Sequence, residues 1–478
     1  MAMAAFMARP LRLGKICPSP SRIGYSIPSI YRRGFSHQSS ARAQEVSGTA
    51  GNSHNAGTEY PQNTGEIPKS LWLPRPVLET AIPTGVEINR SNLVLDYNGQ
   101  KRKFQYASLR DSCKCPLCVD PHSKQRNIRM TDVPYDISPR KIEFDGRELV
   151  IQWRNDIPGF DVSHTSTYDM ETLNRPSLSV TQAIGATRPR TSWDRATMQD
   201  KQFWISYEDY MNNKPKFANA MRNLSQLGLI FIKDIPDSRE EVEKIATRIG
   251  PLRNTFYGPT WDVKKVPDAE NVAYTSQFLD FHMDLMYMND PPGFQLLHCL
   301  QNSCDGGESL FSDAVGAARI LAEVRPDYFE ILANTKLDYE YNHEGAMYHN
   351  RWPIIERRPS FTGITDTVKR VNYSPPFQGS MHTQSVARSY RGYKHFIDAL
   401  KYFVSIIEDK ANTFELKLEP GQCVMFENRR VVHARRQFNT SSGHRWLAGA
   451  YLDDDTLISQ FRRLRRDHPD IWMNGLSN

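Results

Sequence analysis

The sequence predicts a mainly β protein with flanking helices, an α+β chain built as a small domain followed by a large one. Three observations predict this. Short runs rich in β-branched and aromatic residues recur between turn signals. Helical patterns occupy only a few stretches, and neither a solenoid-length repeat nor a heptad register appears. Two polar connectors divide the 478 residues.

Residues 1–44 hold seven basic side chains (Arg9, Arg12, Lys15, Arg22, Arg32, Arg33, Arg42) and no acid. A basic, Ser-rich, acid-free start reads as a mitochondrial transit peptide, with a processing-site-like Arg33-Gly34-Phe35-Ser36. The expected location is therefore the mitochondrial matrix. The remainder carries 53 of the 60 basic residues against all 54 acids, so bulk charge gives no support to nucleic-acid binding. No apolar run approaches the roughly 18 residues that span a bilayer.

Residues 45–74 are polar and rich in Gly, Asn, Ser and Thr, and read as a disordered linker. The small domain is expected over 75–175. Its segment 93–97 ends at Asn98-Gly99, and segments 141–144 and 149–153 flank Asp145-Gly146 as a hairpin. Residues 176–199 form the second connector, and the large domain covers 200–478. Segment 228–233 reads as a strand. Ser238-x-x-Glu241 reads as a capping box opening a helix with Val242, Ile245 and Ile249 on its apolar face, stopped by Gly250-Pro251. A longer helical stretch covers about 313–333. Segments 294–300, 423–426 and 444–451 are strand-like.

Phe281-His282-Met283-Asp284-Leu285 carries the most chemistry. In an extended segment residues i and i+2 share a side, so His282 and Asp284 can aim at one ion. His433, after the strand-like 423–426, is the third candidate. Two His and one carboxylate with open positions form the facial triad of non-haem Fe(II) oxygenases. Arg445 lies twelve residues after His433 and offers a bidentate fork for the distal carboxylate of 2-oxoglutarate. Without the triad, H-x-D reads as a surface turn and Arg445 as a strand-end ion pair.

Cys113-x-Cys115-x-x-Cys118 supplies three thiols within six residues. In a reducing compartment such a cluster points to metal, and a tetrahedral structural zinc needs one more ligand. His122 and His164 both compete for that place; the alternative is a loop of free thiols. Cys299 and Cys423 sit in apolar runs and read as small core residues. His298 is out of phase with Cys299 and reads as a structural histidine.

Taken in order, residues 254–261, 271–275, 281–284, 292–299 and Gly306-Gly307-Glu308-Ser309 closely resemble the gamma-butyrobetaine dioxygenase and trimethyllysine dioxygenase family. The resemblance runs from about residue 85 to the C-terminus. It implies a double-stranded β-helix (jelly-roll) catalytic domain after a small zinc-binding β domain, with Fe(II), 2-oxoglutarate and O₂ as cofactor and co-substrates and ascorbate as an optional reductant. His164 matches the family's His-x-Ser pattern and is chosen as the fourth zinc ligand. Ser309 is implied as a further 2-oxoglutarate contact. Tyr257, Trp261 and Tyr451 are implied as an aromatic cage for a quaternary ammonium, which binds through cation–π contact. Trp261 is expected in a polar loop. Asn271 and Tyr274 match residues that hold the substrate carboxylate.

The resemblance thus implies a hydroxylase of a small quaternary-ammonium substrate, gamma-butyrobetaine being favoured and trimethyllysine the alternative. Asn271 favours the former, because the trimethyllysine enzymes tend to carry Asp there. One position departs: the butyrobetaine enzymes have an aromatic after the metal Asp, and this chain has Leu285. A homodimer is left open. A catalytically silent, zinc-stabilised binding protein is the non-enzymatic alternative, against which the intact triad and Arg445 argue.

Overall fold

A computed structural model describes residues 73–174, 190–264, 275–343, 345–358, 368–381 and 389–474. The segments read as a transit peptide and, up to residue 72, as a linker, together with Asn271 and Tyr274, lie outside the described residues. Residues Leu73–Asn478 form one compact unit, within which the names small domain and large domain refer to the expected segments 75–175 and 200–478.

The small domain pairs β1 (Val86–Ile88), β2 (Asn92–Tyr97) and β3 (Gln100–Gln105) in one antiparallel sheet. A second holds β4 (Ser138–Phe144), β5 (Glu148–Arg154) and β6 (Thr165–Asp169). Tyr97 pairs with Gln100, so Asn98-Gly99 is a two-residue turn. Both turn residues have positive φ (54° and 75°), which Asn and Gly tolerate and which matches the twist of the hairpin. Alternation buries Leu149, Ile151 and Trp153 of β5 against Leu93 and Leu95 of β2.

The large domain is built on two facing sheets. The larger has the order β7 (Trp204–Ser206), β8 (Leu229–Lys233), β18 (Gln422–Glu427), β11 (Phe294–Asn302), β20 (Arg445–Leu452), β9 (Thr260–Lys264). The smaller has β10 (Leu279–His282), β19 (Val431–Arg435), β12 (Ser309–Asp313), β17 (Phe414–Leu416). From β9 to β12, and again from β17 to β20, successive strands alternate between the sheets. That is the winding of a jelly roll, with β13 (Lys336–His343) to β16 (Val368–Val371) and several helices inserted between the two halves.

Period-two alternation decides what each face meets. Leu229, Phe231, Leu297, Cys299, Val424, Phe426 and Leu447 of the larger sheet pack on Phe311 and Val431 of the smaller one. The other parity (Ile230, Ile232, Leu296, Met425, Ala448 and Ala450) meets helices Lys214–Leu227 and Asp454–Asp467 on the outside. Cys299 and Cys423 are buried, free core thiols.

Four local expectations differ from the structure. Helix Glu241–Thr247 has no side-chain cap; Ser238 instead hydrogen-bonds the carboxylate of Glu240, and Glu241 turns inward to Tyr207 and Lys244. The stretch about 313–333 is two helices, Ala314–Val324 and Pro326–Asn334, because Pro326 restricts Arg325 and opens a new first turn. Helix Arg195–Lys201, capped by Asp194, begins within the segment read as connector and runs past its end. Trp261 belongs to β9, not to a loop: Thr260, Trp261 and Val263 pair with Ala450, Gly449 and Leu447.

Candidate active site

The inward parity of the strands assembles the site. Along β20 it selects Arg445, Leu447, Gly449 and Tyr451; along β19, Val431, His433 and Arg435; along β12, Ser309 and Phe311; along β11, Gln295 and Leu297. Arg445, Leu447, Tyr451, His433, Arg435, Ser309, Phe311, Gln295 and Leu297 line one cavity, together with His282, Asp284, Leu285, Tyr257, Trp261 and Phe377.

His282 and His433 are direct cross-strand partners on β10 and β19, with ring centroids 4.2 Å apart. Asp284 Oδ1 lies 3.3 Å from His282 Nε2 and 3.8 Å from His433 Nε2. One ligand atom from each of the three falls within 4.8 Å of the others, a group that could hold a metal ion. His282 Nδ1 donates to the Asp280 carbonyl oxygen at 2.7 Å, since a carbonyl can only accept. This bond sets the tautomer and turns the Nε2 lone pair to the site. Burial, reinforced by nearby His282, lowers the His433 pKa to about 3, so its imidazole is neutral and able to ligate. Burial would raise the Asp284 pKa, but the two adjacent histidines and the hydrogen bond from the Tyr451 hydroxyl outweigh it and keep the carboxylate ionised.

The other oxygen of Asp284, Oδ2, accepts a 2.6 Å hydrogen bond from the Tyr451 hydroxyl. Tyr451 is stacked on Trp261 at 3.9 Å between centroids. The stack is possible because Gly449 lies opposite Trp261: a Cβ there would sit 2.4 Å from the indole. Of the expected cage, Trp261 and Tyr451 therefore cover one face of each other, and Tyr451 also serves the carboxylate. Tyr257 packs beside Phe256, with ring centroids 4.1 Å apart. Phe256 in turn contacts Tyr287, Tyr341 and Tyr348. That aromatic cluster was not read from the sequence, because the residues come from four separate segments.

Arg445 is buried, its Nε has no hydrogen-bond partner, and no carboxylate pairs with it among the described residues. Burial lowers its pKa, yet a guanidinium stays charged. A buried, unpaired cation is costly, so an anion is the fitting occupant of the space beside it. Sequence reasoning missed Arg435, on the same strand face as His433. Its guanidinium donates to the carbonyls of Thr275 and Gln277, at 2.8 Å each, and lies over Phe438, as does Arg445. Its i+2 spacing from His433 was the available signal. Ser309 pairs directly with Arg435 across β12 and β19. His298 points to the opposite face of β11 and lies outside this cavity.

A second ligand group lies in the small domain. Cys113, Cys115 and Cys118 place Sγ at 3.8, 3.3 and 3.7 Å from His164 Nε2. His164 Nδ1 donates to Asp156 Oδ2 at 2.8 Å, and Asp156 Oδ1 accepts from the buried Arg110, which also donates to Cys118 Sγ. His122 is exposed and is not part of the group.

Comparisons with known proteins identify the family. Residues 189–451 match the family described as taurine catabolism dioxygenase TauD, TfdA family, and residues 86–174 match the gamma-butyrobetaine hydroxylase-like N-terminal family. The chain is 34% identical over 382 residues to dioxygenase str8 of Strobilurus tenacellus, covering 76% of this chain and 86% of that protein. It is 28% identical to gamma-butyrobetaine dioxygenase of Homo sapiens (78% and 94% covered) and 27% identical to mitochondrial trimethyllysine dioxygenase of Rattus norvegicus (79% and 86%). A solved taurine dioxygenase from Burkholderia xenovorans superposes with a TM-score of 0.40 at 14% identity, covering 55% of this chain and 89% of that one.

The protein is thus a 2-oxoglutarate-dependent dioxygenase, an enzyme of the non-haem iron class. It belongs to the TauD/TfdA family, in the group of gamma-butyrobetaine and trimethyllysine dioxygenases. No helix among the described residues is long and apolar enough to cross a membrane.

Proposed function

We propose that the enzyme hydroxylates a small zwitterion carrying a quaternary ammonium, with gamma-butyrobetaine, converted to L-carnitine, as the substrate. The observation that carries the reading is a single cavity lined by a two-His, one-Asp group, by a buried arginine with which no carboxylate pairs among the described residues, and by aromatic faces. His282, Asp284 and His433 would hold Fe(II). Bound iron supplies the redox chemistry by which O₂ converts 2-oxoglutarate to succinate and CO₂ and hydroxylates one C–H bond. Arg445 pairs bidentately with the far carboxylate of 2-oxoglutarate, assisted by Ser309. Leu297, Phe311 and Leu447 line the cavity and keep water from that ion pair.

Tyr257, Trp261 and Tyr451 receive the trimethylammonium, and Asn271 and Tyr274 the substrate carboxylate. Leu285 leaves one side of the cage aliphatic. Identity to the butyrobetaine enzymes (28%) and to the trimethyllysine enzymes (26–28%) does not separate the two, so Asn271 is what favours butyrobetaine over trimethyllysine. Cys113, Cys115, Cys118 and His164 fit a closed structural zinc site, in which Asp156, itself held by Arg110, accepts from His164 Nδ1 and orients the imidazole. The basic N-terminal segment favours the mitochondrial matrix, and ascorbate is the reductant to supply in assays.

The test is succinate formation by the purified protein with Fe(II), 2-oxoglutarate and a panel of quaternary amines, with the hydroxylated product identified by mass spectrometry. Gamma-butyrobetaine should give succinate and carnitine in equal amounts. If trimethyllysine or a neutral compound alone is turned over, the substrate assignment fails. A neutral carbon isostere that competes as well as butyrobetaine would refute the cation cage.

A further inference from the structure

We propose that Asn428 is a positioning residue: it holds the main chain around Asp284 in a strained conformation that aims the carboxylate at His282 and His433. The inference rests on the metal-triad reading above. Asn428 is fully buried in the turn between β18 and β19, five residues before His433. Its Oδ1 accepts from the Asp284 N–H at 2.8 Å. Its Nδ2 donates to the Asp284 carbonyl at 3.0 Å and to the Pro292 carbonyl at 3.0 Å. One amide side chain thus clamps both polar groups of the Asp284 backbone.

The clamp has something to hold. Leu285, immediately after Asp284, has φ of +59°. This left-handed conformation is unfavourable for a leucine, whose Cβ crowds the backbone, and it persists only where surrounding structure over-determines it. Leu285 is also buried, so no solvent-facing loop relaxes around it. The strained residue turns the chain after Asp284, and the Met283 N–H is pinned to the Tyr373 carbonyl at 2.8 Å on the other side. Asp284 itself lies beyond the end of β10, where no ladder hydrogen bonds hold it. Its direction therefore depends on side-chain clamps. Because the Asn428 turn leads into β19, the same element that carries His433 also fixes the carboxylate.

The experiment is titration of the zinc-loaded full-length protein with Mn(II), read by EPR, in the absence of 2-oxoglutarate and amine. Asp284→Ala first tests the underlying reading: if it leaves Mn(II) binding intact, the triad assignment fails and the proposal with it. With the triad established, Asn428→Ala should weaken Mn(II) roughly 10–100-fold, the range typical of outer-shell ligand supports. Asn428→Asp keeps the acceptor for the Asp284 N–H but sets an oxygen against two carbonyls, and should weaken Mn(II) at least as much. Leu285→Gly supplies the decisive readout, since glycine adopts positive φ without strain. In the Asn428→Ala background it should restore Mn(II) affinity at least fivefold. Loss of melting temperature with unchanged Mn(II) affinity in both Asn428 variants would make the residue merely structural and overturn the proposal. So would an absence of rescue by Leu285→Gly.

Discussion

The Tyr451 hydroxyl donates to Oδ2 of Asp284, leaving Oδ1 as the oxygen turned to His282 and His433. A residue expected only as an aromatic wall thus also orders the carboxylate. Hydrogen bonds to charged groups contribute about 1.5–3 kcal/mol. Tyr451→Phe keeps the ring and its stack on Trp261 but removes this bond. It should weaken Fe(II) or Mn(II) binding by about tenfold or more, with a smaller change in the apparent affinity for the amine. Unchanged metal affinity would return Tyr451 to a pure cage role.

Gly449 makes the Trp261–Tyr451 stack possible. Gly449→Ala places a methyl 2.4 Å from the indole, so Trp261 must move. The β20 backbone remains compatible with alanine. We expect folded protein with reduced tryptophan burial, seen by fluorescence, and impaired amine binding. Unchanged fluorescence and turnover would mean that the stack is dispensable.

Arg445→Lys keeps the charge and loses the fork. The KM for 2-oxoglutarate should rise about tenfold or more, well beyond any change for the amine. Parallel rises would point to a folding defect.

Zinc content should separate from iron chemistry. Cys115→Ser removes one of the four clustered residues that could hold zinc. It should lower zinc stoichiometry and thermal stability while leaving residual turnover dependent on Fe(II). Full zinc occupancy in that variant would refute the ligand set.

His298 predicts an acid-side loss of stability. Burial lowers its pKa from 6.5 to about 4, and both ring nitrogens lack partners. A histidine with a depressed folded-state pKa folds neutral. Its contribution is fully present above the unfolded value and is lost as pH falls from 6.5 towards 4. At pH 4 the loss is about 3 kcal/mol, from about 1.36 kcal/mol per pKa unit. His298→Gln should flatten the stability–pH curve over that window relative to the wild type. An identical slope would show that His298 does not titrate there.

Local chemistry was enough to read much of this protein. The period-two runs, the Asn98-Gly99 turn and the thiol cluster are written within a few residues of one another, so they were legible in one dimension. The closeness of His282 and Asp284 in the chain was legible too, but Asp284 lies in the turn beyond β10, not in the extended segment that the i, i+2 reading assumed. Pairing register is a long-range property, and a one-residue slip would send every inward side chain to the other face. Only the β20–β9 register reveals that Trp261 belongs to a strand and lies over Gly449. Likewise, only the β10–β19 pairing sets His433 beside His282. Asn428 and the second duty of Tyr451 were invisible for the same reason. Each acts on a group distant in the chain, and neither spacing nor composition records which buried donor meets which acceptor. Capping at Ser238 failed from the other direction: its local signal was present, but packing turned Glu241 inward to Tyr207 and Lys244.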